Sequence, residues 1–144
     1  MEIGLVRTAW FVLMVSLLAG CASGPPRLEP NQTLERYLAY SGEPIDRFSS
    51  SRLNGWEPLA RDKLVLRSGV NDAFLITVWD TCPDLLFAND IQVISVMEFT
   101  ITRFDKVRVG RDTCPIREIR QIDVRQMRLD DAAIRRQQQA EKNP

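Results

Sequence analysis

The chain has 144 residues, with 19 cationic and 19 acidic side chains and no formal net charge. That length sets one domain as the prior and allows a real core; the even charge gives no ground for nucleic acid as a partner. Histidine is absent, which removes the usual general base near neutral pH and the commonest metal ligand, and excludes Ser-His-Asp and Cys-His catalysis.

Residues 1–20 read as a secretory leader. A short head carries one positive charge, Arg7, and residues 9–18 are almost wholly apolar. About ten apolar residues are too few to cross a bilayer, which takes roughly 20. The run ends in Leu18-Ala19-Gly20-Cys21, which resembles the lipobox of bacterial lipoprotein precursors. Small residues before the cut let the chain lie extended in a peptidase groove, and the thiol accepts a diacylglyceryl unit. By that resemblance residues 1–20 are a signal peptide and Cys21 is the lipidation site. Acyl chains such as palmitate would then hold the protein to a membrane. The alternatives are an ordinary secretory signal that happens to contain a cysteine, and a cytosolic start with a buried N-terminal helix. Ala22 stands where an aspartate tends to keep Gram-negative lipoproteins in the inner membrane. It favours the outer membrane, facing the periplasm.

Residues 21–32 hold Pro25, Pro26 and Pro30 with few apolar side chains. They read as a tether, with a reach of roughly 35 Å at about 3.1 Å per residue.

A single β-rich domain is expected over residues 33–125. Leu34, Tyr37 and Leu38 mark a short helix over 33–40, with Asn31 or Thr33 as N-cap. Ser41-Gly42 stops it. Ile45 and Phe48 pin a loop, and the serines at 49–51 are solvated, with no base or oxyanion partner nearby. Asn54-Gly55 signals a turn. Trp56 and Leu59 then cap one end of the core, although Trp56 could instead line a pocket. Residues 64–66 and 73–79 form a hairpin around Ser68-Gly69 and Asn71-Asp72. Its second strand is apolar on both faces, with Phe74, Ile76 and Val78 on one and Leu75 and Trp79 on the other. Such a strand sits in a sheet centre or a small barrel.

Residues 85–88 give one apolar, helix-like turn. Residues 91–97, 98–103 and 104–109 read as strand, and Gly110-Arg111-Asp112 turns the chain. Ile116, Ile119 and Ile122 are spaced by three, which suits a helix or a bulged strand; the bulged strand is expected. Residues 126–144 form a polar helical or disordered tail, with a partner-binding helix as the alternative. The fold class is α+β, mainly β: a curled or barrel-like sheet of about five strands behind a short N-terminal helix.

Cys82 and Cys114 each precede a proline and border a strand. Export to an oxidising compartment makes a disulfide between them the default. It would close a loop of about 32 residues and contribute roughly 3 to 4 kcal/mol. A redox pair would show Cys-x-x-Cys, which is absent. Zinc would need two further carboxylate ligands. Two free buried thiols are the last alternative.

Six motifs occur in order: Gly55-Trp56-Glu57-Pro58-Leu59, Leu64-Val65-Leu66, Ala73-Phe74-Leu75-Ile76, Cys82-Pro83-Asp84-Leu85, Phe104-Asp105-Lys106-Val107 and Cys114-Pro115-Ile116-Arg117-Glu118-Ile119. Together they resemble a proteobacterial family of small exported proteins of unknown function, many of whose members look like lipoproteins. The resemblance covers roughly residues 37–124. It implies an address and a fold, supports pairing Cys82 with Cys114, and implies no activity.

The functional expectation is a periplasmic lipoprotein that binds or supports other parts of the cell envelope. Its partners would be the membrane, through lipid on Cys21, and an unidentified envelope protein. No catalytic residue, cofactor or metal is expected. One alternative is a small-ligand carrier in a β-barrel mouth, marked by an apolar cavity of several hundred Å³. The other is a carboxylate-based hydrolase using Asp80, Asp84 and Asp90, although acids in turns are more often capping or solvated groups.

Overall fold

A computed structural model describes residues 29–79 and 82–142. The leader, Cys21, most of the tether and Asp80 lie outside these residues. Helix α1 (Pro30–Ala39) comes first. Strands β1 (Ser41–Ile45), β2 (Arg47–Ser49), β3 (Leu53–Ala60), β4 (Lys63–Ser68) and β5 (Asp72–Val78) follow. A single 3-10 turn (Leu85–Phe87) precedes β6 (Gln92–Ile94), β7 (Thr100–Thr102), β8 (Lys106–Val109) and β9 (Asp112–Ile122). Helix α2 (Val124–Lys142) ends the described chain.

The fold is mainly β, as expected. Six strands in the order β3-β4-β5-β9-β8-β6 curl into a half-barrel, and β1 joins on β9. β2 and β7 make a separate two-stranded ribbon. β9 organises the sheet because it is long enough to serve both edges. β5 pairs along one side of it, from Ala73↔Ile122 to Val78↔Ile116. The other side is shared by β8, at Val107↔Cys114, and β1, at Ile45↔Ile119.

The two-faced apolar pattern of β4 and β5 becomes two cores. Leu64, Leu66, Phe74, Ile76 and Val78 face the inside of the curl with Leu85, Ile101, Val107, Ile116 and Ile119. Phe48 reaches in from β2 and stacks on Phe74, with centroids 3.8 Å apart. The alternating residues Val65, Ala73 and Leu75 face outward, under Tyr37 of α1 and Val124 and Met127 of α2. Side chains alternate across a strand, so a central strand covered on both faces needs both layers.

The isoleucine spacing in β9 is explained by a bulge. Three residues normally flip a side chain to the opposite face, yet Ile116 and Ile119 share the inner core. The pairing jumps from Thr77↔Glu118 to Val78↔Ile116 and leaves Arg117 as the extra residue. No bulge follows, so Ile122 turns to the outer core.

Several local expectations are corrected. Asn54-Gly55 is not a hairpin turn: β3 runs through it with an irregularity between Leu53 and Gly55. The Asn54 amide donates to the Gly69 carbonyl at 2.9 Å across the sheet end, so the kink is absorbed as a bulge. Ile45 ends β1 and Phe48 lies in β2, with Asp46 as the bend between them, so the expected loop is two short strands. Residues 91–97 hold only the three-residue β6, because Ser95 and Val96 turn back toward Asp105. Helix α1 starts at Pro30, inside the segment read as tether, and its N-cap is Glu29 in place of Asn31 or Thr33. Pro suits the first helical turn because its missing N–H would be unpaired there anyway. Trp79 is 55% exposed; the Arg117 guanidinium covers its ring at 5.1 Å instead of a second core layer. Trp56 packs against the inner core and Leu59 lies in the outer one.

Candidate functional site

Cys82 and Cys114 come together as the sequence suggested. They lie at disulfide distance with Cα atoms 6.4 Å apart, and both are buried. The Cys82 amide donates to the Arg61 carbonyl at 3.0 Å, and Cys114 sits in β9 opposite Val107. The pair therefore joins the connection after β5 to the β8–β9 hairpin. Leu85, in the 3-10 turn of that connection, inserts into the same core.

Asp105 is the most deeply buried acid of the described residues, at 3% exposure. Its carboxylate accepts hydrogen bonds from the Thr102 amide at 2.6 Å, the Thr102 hydroxyl at 3.0 Å and the Val96 amide at 3.2 Å. The Ser95 hydroxyl lies 3.0 Å from the same group. Burial alone would raise its pKa, but the backbone bonds from Thr102 and Val96 and the side-chain bonds from Thr102 and Ser95 outweigh it. The carboxyl is held below its ordinary range. This acid organises the segment 95–105. Sequence reasoning placed it only in a family motif; its local signal was Thr102 three residues earlier, the spacing of a side-chain-capped turn.

A second polar group lies on the outer face. The Tyr37 hydroxyl donates to Glu57 Oε2 at 2.8 Å and accepts from Arg67 Nη2 at 2.7 Å. Arg67 also pairs with Glu57 at 3.1 Å. Burial, then the bond to Glu57, pushes the phenol up. The three side chains tie α1 to β3 and β4. Arg36 pairs with Asp131, and the Tyr40 hydroxyl donates to Asp130 at 2.7 Å, which ties α1 to α2.

An open cavity of about 580 Å³ lies where α1, β1, β9 and α2 meet, lined by Tyr40, Gly42, Gln121, Asp123, Arg125 and Gln126 among others. Asp123 is committed locally, because its Oδ1 accepts the Gln126 amide at 2.8 Å and caps α2. Asp84 and Asp90 are exposed. Among the described residues no three His, Cys, Asp or Glu side chains gather as a metal site.

A family profile, described as a family of unknown function (DUF6491), matches residues 5–140. The chain belongs to this family. Searches of curated proteins and of solved structures each gave no match. The DUF6491 match spans Cys82, Cys114, Asp105, α1 and all but the last two residues of α2.

Proposed function

We propose that this chain is a lipid-anchored protein of the bacterial cell envelope whose folded domain binds or supports another envelope component. The observation that carries the reading is the order of its first residues. A ten-residue apolar run ends in Leu18-Ala19-Gly20-Cys21, and prolines follow at once. The sequence alternates between features with different physical jobs: a leader that is removed, a thiol that takes lipid, a spacer, and then a packed domain.

The cysteine pair supports the same address. Two buried cysteines at disulfide distance suit an oxidising compartment, where such links persist. The outer membrane, facing the periplasm, is the expected site because Ala22 follows Cys21.

Intact-mass analysis of protein from the membrane fraction tests this. The expected product begins at Cys21 and carries a diacylglyceryl group and an amide-linked acyl chain. Cys21→Ser should abolish that modification. Recovery of a chain that still begins with Met1 from the cytoplasm would refute the reading.

A further inference from the structure

Strands β2 and β7 pair with each other and not with the main sheet. Two side chains of this ribbon are buried. Phe48 is 7% exposed and Ile101 1%, and both lie in the inner core. The turn that leads into β7 adds no anchor of that kind, since Val96, Met97 and Phe99 are exposed. Phe99 is held at φ 55, in the left-handed region that bulky side chains seldom adopt. A residue in that state persists only while its surroundings fix it. The Phe99 carbonyl accepts the Ser50 amide at 2.8 Å, which closes the end of the ribbon.

Asp105 joins the ribbon to the sheet. Its carbonyl accepts the Ile116 amide of β9 at 2.9 Å, so its backbone is fixed to the sheet. Its carboxylate accepts the Val96 amide at 3.2 Å, the Thr102 amide at 2.6 Å and the Thr102 hydroxyl at 3.0 Å. All three donors belong to the ribbon and its turn. The negative charge is what makes these bonds strong, and protonation would set a donor among donors. The charged groups on the surrounding elements are Asp46 and Arg47 at β2, Glu98 and Arg103 on either side of β7, Lys106 on β8 and Arg117 on β9. All six are exposed. Arg103 pairs with Asp46, and among the described residues none forms an ion pair with Asp105.

We propose that β2, β7 and the turn 95–99 form a lid over the inner core, which opens as one unit while the main sheet stays folded, and that the Asp105 carboxylate is its clasp. Opening withdraws Phe48 from its stack on Phe74 and Ile101 from the core. It therefore bares the apolar interior of the half-barrel. Local units of this kind open at lower free energy than the whole fold. The direction with pH follows from the clasp: the lid is closed while Asp105 is ionised, and acid releases it before the sheet unfolds.

Hydrogen exchange of the full chain in low urea, read by mass spectrometry, tests this. Peptides from 46–50 and 95–104 should exchange at least about tenfold faster than peptides from β4, β5 and β9. Their rates should barely respond to urea, because local opening exposes little surface, whereas the rates in the sheet should rise steeply with urea. As pH falls from about 5 to about 2.5, the lid peptides should reach the unprotected limit, after correction for intrinsic rates, while the sheet peptides remain protected. In Asp105→Asn, exchange of the lid should rise about thirtyfold or more at neutral pH. Lid and sheet peptides that share one rate and one urea dependence would overturn the proposal, because the ribbon would then open only with the whole fold. Exchange of the lid that is the same in Asp105→Asn as in wild type would overturn the clasp. Should that variant fail to fold, the urea and acid series on wild type decide alone.

Discussion

At the scale of single residues, Asp105 connects sequence to surface. A buried carboxylate is stable only if its lone pairs are filled, and here Thr102, Val96 and Ser95 supply the partners. Asp105→Asn keeps the shape but replaces one acceptor oxygen with a donor that faces other donors. The expected cost is about 2 to 3 kcal/mol, the range for buried hydrogen bonds to a charged group, read as a lower urea midpoint at unchanged slope. The pH dependence has a definite sign. The folded pKa lies below the ordinary value, so between the two the unfolded chain binds more protons. The contribution of Asp105 is therefore fully present above about pH 5 and is lost as pH falls below about 4, through the folded value. Glu118 adds to the same slope, because its hydrogen bond to Arg120 at 2.7 Å holds it down more than burial raises it. Urea titrations between pH 3 and 7 should show a shallower acid decline in Asp105→Asn than in wild type. Equal slopes would remove Asp105 as a source of acid sensitivity.

At the scale of elements, α2 divides into a packed start and a free end. Val124 and Met127 lie in the outer core. Arg128 pins the first turns to the β4–β5 connection through the Val70 carbonyl at 2.7 Å and Asn71 at 3.0 Å. From 133 to 142 every residue is exposed. Met127→Ala should cost about 2 to 3 kcal/mol, whereas ending the chain after Arg136 should change stability by less than about 0.5 kcal/mol. Thermal melts of the two variants check the division, and a large loss on truncation would show that the far end carries packing. The sequence revealed the start of this helix poorly, because Val124 alternates with Ile122 as a strand residue would. It revealed β4 and β5 well, since continuous apolar runs between turn residues have few other solutions. The bulge in β9 was readable from isoleucines spaced by three. The strands β1 and β2 were not, because three to five residues containing Gly42, Pro44 or serine carry no periodicity and form only by pairing with distant partners. The cysteine pair was legible from chemistry alone. Asp105 was not: in Phe104-Asp105-Lys106 it looks like a surface acid, and its burial arises only when residues 95–102 fold over it.

At the scale of the whole molecule, the question is what holds a thin, curled sheet shut. The inner core of the half-barrel is filled by Phe48 of β2, Ile101 of β7, and Cys82 and Leu85 of the connection between β5 and β6, whose described part has a single 3-10 turn as regular structure. Leu85 and the Cys82 amide bond to Arg61 anchor it from within; the pairing of Cys82 with Cys114 would add a covalent anchor to β9. A domain of this size has a net stability of about 5 to 15 kcal/mol, and closing a loop across a sequence separation of 32 is worth roughly 3 to 4 kcal/mol through the unfolded chain. The link would therefore supply a large share of the stability while adding few contacts. Cys82→Ala should lower the urea midpoint accordingly and leave one thiol at Cys114 that reacts slowly in the folded state, because it is buried, and readily after unfolding. Reductant should shift wild type toward the variant and leave the variant unmoved. A wild-type midpoint that ignores reductant, with two thiols titratable in denaturant before any reduction, would mean the pair is unlinked and that non-covalent packing of the inner core closes the barrel.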